Sequence, residues 1–478
     1  MGERDDAMWQ WSAVEVASAV RGRKVSAEDA VRSVLDRIEQ ADGRVNAYAT
    51  VDPDGAISAA RQIDAKVKAG EDPGPLAGVA FSVKDLIVTK GMVTDFGSRV
   101  FAGNVPDHDA EMVARLRRAG AILVGKSNTP EFGHKALTNN PLHGYTRNPW
   151  DISRSPGGSS GGATVAVAMG MGPIAVTTDG AGSARIPASV CGVLGLKPTL
   201  GRIPNETAIE LFSSFINLGL SSRTVADLAA GLSVVSGACV TDPWSIAVPP
   251  ATFAVPADPR ARLSGLKALV FRRMGNSIVD VNVEKQFDLY LDLLRKAGVT
   301  LVDGPEDFEW DKASQFAAMR AYQRARLDHL LENDRDRLDP SLVAALEEGR
   351  NQNLMDVQAA PAVRSGLFRR VQALFDAHDL ILTPTVAASP PPYDQDQNAD
   401  FSINGKVAGP LRATWYGYTG TFNHTGHPAM NIPMGFTPDG IPTGLHVVGR
   451  WFEEQRLLDI AAAFEAMAPW AGFWPPDA

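Results

Sequence analysis

Two serine clusters carry residue types that could do chemistry. SPGGSSGG (155–162) sets Ser159 and Ser160 between paired glycines, and TTDGAGSARIPAS (177–189) sets Ser183 in a turn of small residues. A glycine-serine linker is the simplest reading of the first cluster, but the apolar run ATVAVAMGMGPIAV follows it directly. A flexible tether makes little sense at the entrance of a buried element. Glycine there serves close backbone approach or an unusual dihedral. The second cluster lies between an apolar strand and a predicted helix. Such a turn aims backbone amides at one point and adds the positive end of the helix dipole. That is the geometry of an oxyanion hole.

Three short patterns compete with this reading, and each lacks its structural context. GAILVGKS (120–127) fits the phosphate-loop spacing, but Ala121 to Val124 reads as a strand and Pro130 follows soon after, so no glycine-rich bend exposes its amides. GGSSG (157–161) fits a nucleophile elbow with Ser159 at its apex. An elbow must be fed by a buried strand, and RNPWDISRSP, with two prolines, cannot be one. HTGH (424–427) spaces two histidines for one helix face, but Gly426 and Pro428 make it a turn rather than a zinc site.

The elements that must position the serines follow from periodicity. Ser12 with Glu15, and Ser26 with Asp29, have capping-box spacing ahead of two helices over 12–40. From residue 76, short apolar runs (LAGVAFSV, AILVG, IAVTT) alternate with helical stretches such as DAEMVARLRRAG, which is the pattern of an α/β sheet. The alternation resumes with LKALVF (266–271), a helix near 280–297, VTLV (299–302) and DLILTP (379–384). The charged stretch 305–350 reads as a solvated helical layer, and 389–410 as a long surface loop. With 45% hydrophobic and 21% charged residues, the 478-residue chain can build a large core. A net charge of -9 leaves no electropositive surface for a nucleic acid. Cys191 and Cys239 are too few for a disulfide framework and suit a reducing compartment. The N-terminus MGERDDAMWQWSAVEVASA has no long apolar core, so neither a signal peptide nor a membrane anchor is expected, and a cytoplasmic location is.

Taken together, SPGGSSGGATVAVAMGMGPIAVTTDGAGSARIPASVCGVLGLKPT (155–199), GPLAGVAFSVKDLI (74–87), LILTPT (380–385) and FNHTGHPAMNIPMGFTPDGIPTGLHVVG (422–449) closely resemble the motifs of the amidase signature hydrolases. The likeness spans residues 10–465, far beyond a chance match to a short pattern. It implies an α/β fold with a mixed, mostly parallel sheet flanked by helices, in one domain over 1–478. N-terminal helices would occupy 1–70, the signature core 74–235, a peripheral α/β and helical layer 240–375, and the C-terminal part of the core 376–478.

Residue by residue, the family's triad falls on Ser183 as nucleophile, Ser159 as relay with a cis peptide before it, and Lys84 as base. The resemblance places the oxyanion at the amides of Gly180, Ala181 and Gly182, together with Ser183. Ala181 stands where the family commonly has glycine, and Thr177 is a second departure of that kind. Lys84 can accept a proton only when neutral, so burial must depress a pKa that is otherwise about 10.4. Asp179 and Arg185 are expected to hold the loop. The implied reaction is hydrolysis of a carboxylic amide, with carbamates, ureas and esters also within the family's range, and no cofactor or metal.

Phe132, the segment 205–215 with Phe212, and the stretch 414–422 with Trp415 are the expected apolar lining, which suits a neutral small-molecule amide or carbamate. Phe212 and Trp415 could equally be core. No basic cluster along the chain calls for an acidic substrate. Other readings are the A-type subunit of a tRNA-dependent amidotransferase and a catalytically silent binding protein on the same fold. Neither nucleic acid nor membrane is an expected partner, and a homodimer is a fair expectation for a soluble enzyme.

Overall fold

The structure is a computed structural model and describes residues 7–476 apart from 209, 213, 306–307 and 309–311, and the side chains of 312–316. Eleven strands form one sheet. In chain order they are β1 (Tyr48–Val51), β2 (Ala80–Lys84), β3 (Ile122–Ser127), β4 (Ile174–Asp179), β5 (Leu194–Lys197), β6 (Asn217–Ser222), β7 (Lys267–Val270), β8 (Thr300–Asp303), β9 (Leu380–Pro384), β10 (Ala429–Phe436) and β11 (Pro442–Val448). Across the sheet they run β1-β3-β2-β4-β6-β5-β10-β11-β9-β7-β8. Parallel pairing is confined to two groups, β3-β2-β4 and β9-β7-β8. Between these groups, and at β1, the pairs are antiparallel. The sheet is therefore mixed, as expected, and the expected parallel majority holds only within the two groups.

The central strands are buried along their whole length, and their sequences are mostly small, apolar or β-branched residues without polar alternation. AFSVK in β2 and IAVTTD in β4 are buried at every position, as befits strands covered on two sides. Helix Gly161–Ala168 (GGATVAVA) is buried all round. Its small side chains let it lie close against β2, β4 and β6. The N-terminal helices begin where their caps predict, with Ser12 accepting from the Glu15 amide and Ser26 from the Asp29 amide. A third helix, Pro53–Ala69, starts on Pro53 with Asp52 as cap.

Most buried apolar side chains form one cluster around the sheet. A smaller one, of Leu327, Leu330, Leu331, Leu338, Leu342 and Leu346, lies under helices Lys312–Asn333 and Pro340–Glu348 and touches Phe101 and Phe132. The helical layer expected over 305–350 is thus present and has its own core. The expected loop 389–410 contains a short hairpin, Asp400–Ile403 with Lys406–Pro410. It turns at Asn404 and Gly405, both in the left-handed region.

Candidate active site

β2 and β4 run parallel, so their carboxyl ends open on the same side, where ligands gather in α/β sheets. Lys84 ends β2, and Thr178 and Asp179 end β4. Lys84 is fully buried and Ser159 is 2% exposed. Lys84 Nζ lies 2.7 Å from Ser159 Oγ, 2.9 Å from Ser160 Oγ and 2.8 Å from Thr178 Oγ1. Ser159 Oγ is 3.0 Å from Ser183 Oγ. Ser183 is half-buried and reaches the cavity. Three residues distant in sequence thus form one hydrogen-bonded chain from a buried amine to an accessible hydroxyl.

The two glycine-rich turns hold this chain in place. The Gly158-Ser159 peptide is cis. A Cβ on Gly158 would come within 2.8 Å of the Ala136 backbone and 2.9 Å of the Leu137 amide, so the close approach requires glycine. Thr129 Oγ1 donates to the Ser159 carbonyl at 3.0 Å. In the second turn Gly182 has φ 124°, and a Cβ there would meet Thr419 Oγ1 at 2.2 Å. Ala181 needs no such dihedral, because the left-handed step falls on Gly182. Thr177, the other departure, packs against Gly219 on β6, where a Cβ would sit 3.0 Å from Thr177 Oγ1.

One expected oxyanion donor must be corrected. The Gly182 N–H donates to Asp179 Oδ1 at 2.7 Å, so it is spent on the scaffold. The amides of Gly180, Ala181 and Ser183 have no acceptor among the described residues, and all three residues line the cavity. Asp179 organises the loop, accepting also from the Ala184 amide and, through both oxygens, from Arg185. Asn423 Nδ2 donates to the same carboxylate at 2.9 Å. Burial alone would raise the Asp179 pKa, but the Arg185 guanidinium outweighs it and holds the carboxyl well below its usual range. Arg185 is fully buried, with Asn423 and His446 as further partners. It is a scaffold group here, as expected.

Electrostatics favour a neutral Lys84. Burial pushes its pKa well below the ordinary lysine value, and the Asp179 charge only partly opposes this. Three hydroxyls surround the amine, and no carboxylate forms an ion pair with it among the described residues.

The cavity holds about 330 Å³, within the range of small-molecule sites. Phe132 lines it, as do Asn205, Thr207 and Ala208 of the expected segment, and Tyr416 of the other. Phe212 is instead 73% exposed, and Trp415 is wholly buried in the core with its Nε1 donating to Ala388 O. Ile209 and Ser213 lie outside the described residues. GAILVGKS runs through β3, where the Lys126 ammonium is buried against Thr89 and Thr94 rather than facing a phosphate site. His424 ends a short helix, and His427 stacks on Phe375. Among the described residues, the grouping with metal-ligand spacing is Asp85, Asp95 and His143. Its groups already partner one another and nearby amides, and Lys126 supplies a positive charge beside Asp85.

The amidase family profile matches residues 29–458. The chain belongs to the amidase signature family. It is 33% identical to an acylamidase of Rhodococcus erythropolis over 98% of this chain and 97% of that protein. It is also 34% identical to the A-type subunit of the glutamyl-tRNA(Gln) amidotransferase of Acidothermus cellulolyticus, over 95% and 94%. A bacterial aryl acylamidase of the amidase signature family superposes with a TM-score of 0.87 at 26% identity, covering 97% of each chain. A 6-aminohexanoate cyclic dimer hydrolase complexed with substrate superposes with 0.84 at 27% identity, over 98% and 99%. The α/β fold and amide-hydrolase class expected from the motifs are therefore the family's own. Thr178, Thr419 and Asn423 were not singled out in the sequence, and Ser160 was named there only as the neighbour of Ser159. Ser160 and Thr178 sit inside quoted motifs, but only the strand register brings both hydroxyls to the same amine.

Proposed function

We propose that this chain hydrolyses carboxylic amide C–N bonds through an acyl-enzyme on Ser183. The observation that carries the reading is the chain Lys84 Nζ to Ser159 Oγ to Ser183 Oγ, at 2.7 and 3.0 Å, ending in a cavity beside unengaged amides. With Lys84 neutral, its lone pair accepts from the Ser159 hydroxyl, which accepts in turn from Ser183. Ser183 Oγ attacks the carbonyl carbon as its proton passes to Ser159 and that of Ser159 passes to Lys84. The amides of Gly180, Ala181 and Ser183 meet the oxyanion, each donor of this kind contributing about 3–4 kcal/mol to the transition state. Collapse breaks the C–N bond while Ser159 protonates the departing nitrogen and recovers a proton from Lys84. Water then attacks the ester, gives its proton along the same relay, and releases the acid as Ser183 regains its own.

Carbamates and esters present the same tetrahedral oxyanion and fall within this mechanism. The amidotransferase relative, of comparable identity, favours a second reading, in which glutamine is the amide and a partner complex takes the ammonia. A panel of 4-nitroanilides, aryl carbamates and glutamine, offered to the chain alone, separates the readings. Turnover of anilides that is lost by about 10⁴-fold in a folded Ser183→Ala variant supports the hydrolase. Turnover confined to glutamine supports the amidotransferase reading, and full activity in Ser183→Ala ends the assignment.

A further inference from the structure

The outer wall of the cavity carries charge that no stretch of the sequence announces. Lys135, Arg320, Arg326 and Arg412 all line it, and none of its described lining residues is acidic. Lys135 is neutralised from behind by Asp339 at 2.7 Å. Arg320 and Arg412 share a single carboxylate, Glu348, at 3.1 and 3.8 Å. Arg326 has no carboxylate within ion-pair distance among the described residues. Four cations therefore stand against two carboxylates. The Nε atoms of Arg320 and Arg326 are buried without any acceptor among the described residues. Burial, and next the neighbouring Arg412 charge, disfavour the charged form of Arg320. The same lining also holds the apolar side chains Leu86, Val88, Phe132, Ile186 and Leu218, with Leu86 beside Ser159 and Ile186 beside Gly182.

We infer that the substrate of this site is an amide carrying a carboxylate at the end remote from the scissile bond, received by Arg326 and Arg320. This rests on the hydrolase reading above and names its substrate class. A carboxylate presents two acceptor oxygens to guanidinium donors, and such charge-assisted bonds are stronger and more directional than neutral ones. An apolar spacer suits the apolar side chains that share this lining. The expectation of a neutral substrate came from reading the chain linearly. Positions 135, 320, 326 and 412 become neighbours only when the helical layer folds over the cavity.

The test compares N-glutaryl-4-nitroanilide with N-valeryl-4-nitroanilide, and 4-acetamidobenzoate with 4-methylacetanilide, so that the charge is offered on either side of the bond. The acid is expected to exceed its neutral partner in kcat/KM by about tenfold or more in at least one pair. That ratio should shrink as ionic strength rises from about 0.05 to about 0.5 M. In Arg326→Gln and Arg320→Gln the ratio should fall by about tenfold. Arg326→Lys, which keeps the charge but loses the planar fork, should retain part of it. Glu348→Gln, which frees two guanidinium groups, should raise it. Ratios near one in both pairs, with the neutral anilides hydrolysed, overturn this inference and leave the hydrolase reading standing. No turnover at all, with Ser183 unlabelled by a fluorophosphonate, overturns both. The ionic-strength series on the unaltered chain decides the matter even if an arginine variant does not fold.

Discussion

At Lys84, burial removes the water that would stabilise an ammonium, and three hydroxyls take its place. Activity should therefore rise with pH as Lys84 loses its proton and level off well below the ordinary lysine value, because burial lowers its pKa. A profile of kcat/KM still climbing at about pH 10 contradicts this. Lys84→Ala should lose nearly as much activity as Ser183→Ala, since members of a relay act as a unit. Gly182→Ala probes the loop differently. Its Cβ would meet Thr419 Oγ1 at 2.2 Å and the residue would sit at φ 124°. The substitution should cost more than about 1 kcal/mol in urea unfolding and about a hundredfold in kcat as the neighbouring amides shift. At this scale the motif matches were informative about side chains and less so about backbone. Ser183, Ser159 and Lys84 were legible, whereas the engagement of Gly182 by Asp179 depends on a loop conformation that residue types do not encode.

Among the elements, the helical layer over the cavity is tied down by polar contacts to the segment 131–135. Glu131 Oε2 accepts from the Asp339 amide at 2.6 Å, Lys135 pairs with Asp339, and His134 Nε2 is 2.7 Å from Ser341 Oγ. Removing one partner of so buried a pair, in Asp339→Ala, should cost about 3–5 kcal/mol. The loss should appear as faster amide exchange in Pro340–Glu348, with the strands β2 and β4 little changed. His134 adds a pH dependence. Burial, with Lys135 next, pushes its pKa down to about 4 from an ordinary 6.5. Its neutral form is thus favoured in the folded state, so this contribution to stability is complete above pH 6.5 and is lost as pH falls toward about 4. Exchange in the layer should speed up across that window, and His134→Gln should flatten the response. Capping residues such as Ser12 and Ser26 made helix starts readable, and unbroken apolar runs made the central strands readable. The hairpin Asp400–Ile403 with Lys406–Pro410 was not legible because its strands are short and mostly exposed, with Ile403 alone fully buried, so no run of alternation is long enough to read.

For the whole molecule, the sheet joins parts of the chain that composition alone does not link. β10 and β11, from the C-terminal part, lie between β5 and β9, so the loop bearing Ser183 is braced from the opposite end of the sequence. Thr419 Oγ1 donates to Ala181 O at 2.6 Å, and Asn423 Nδ2 to Asp179 O at 2.8 Å. These long-range braces, and the gathering of Arg320, Arg326 and Arg412, follow from topology and could not be seen in local patterns. The family motifs pointed to Lys84, Ser159 and Ser183, which the fold brings into one hydrogen-bonded chain and supports. The central claim is that a buried, uncharged amine drives Ser183 through Ser159. The most direct measurement is an NMR pH titration of the chain with ¹³C-labelled lysine, the Lys84 signal being assigned by its loss in Lys84→Ala. A Lys84 side chain that loses its proton well below the ordinary lysine value is the predicted result, and one that stays protonated up to its ordinary pKa of about 10.4 would contradict the account.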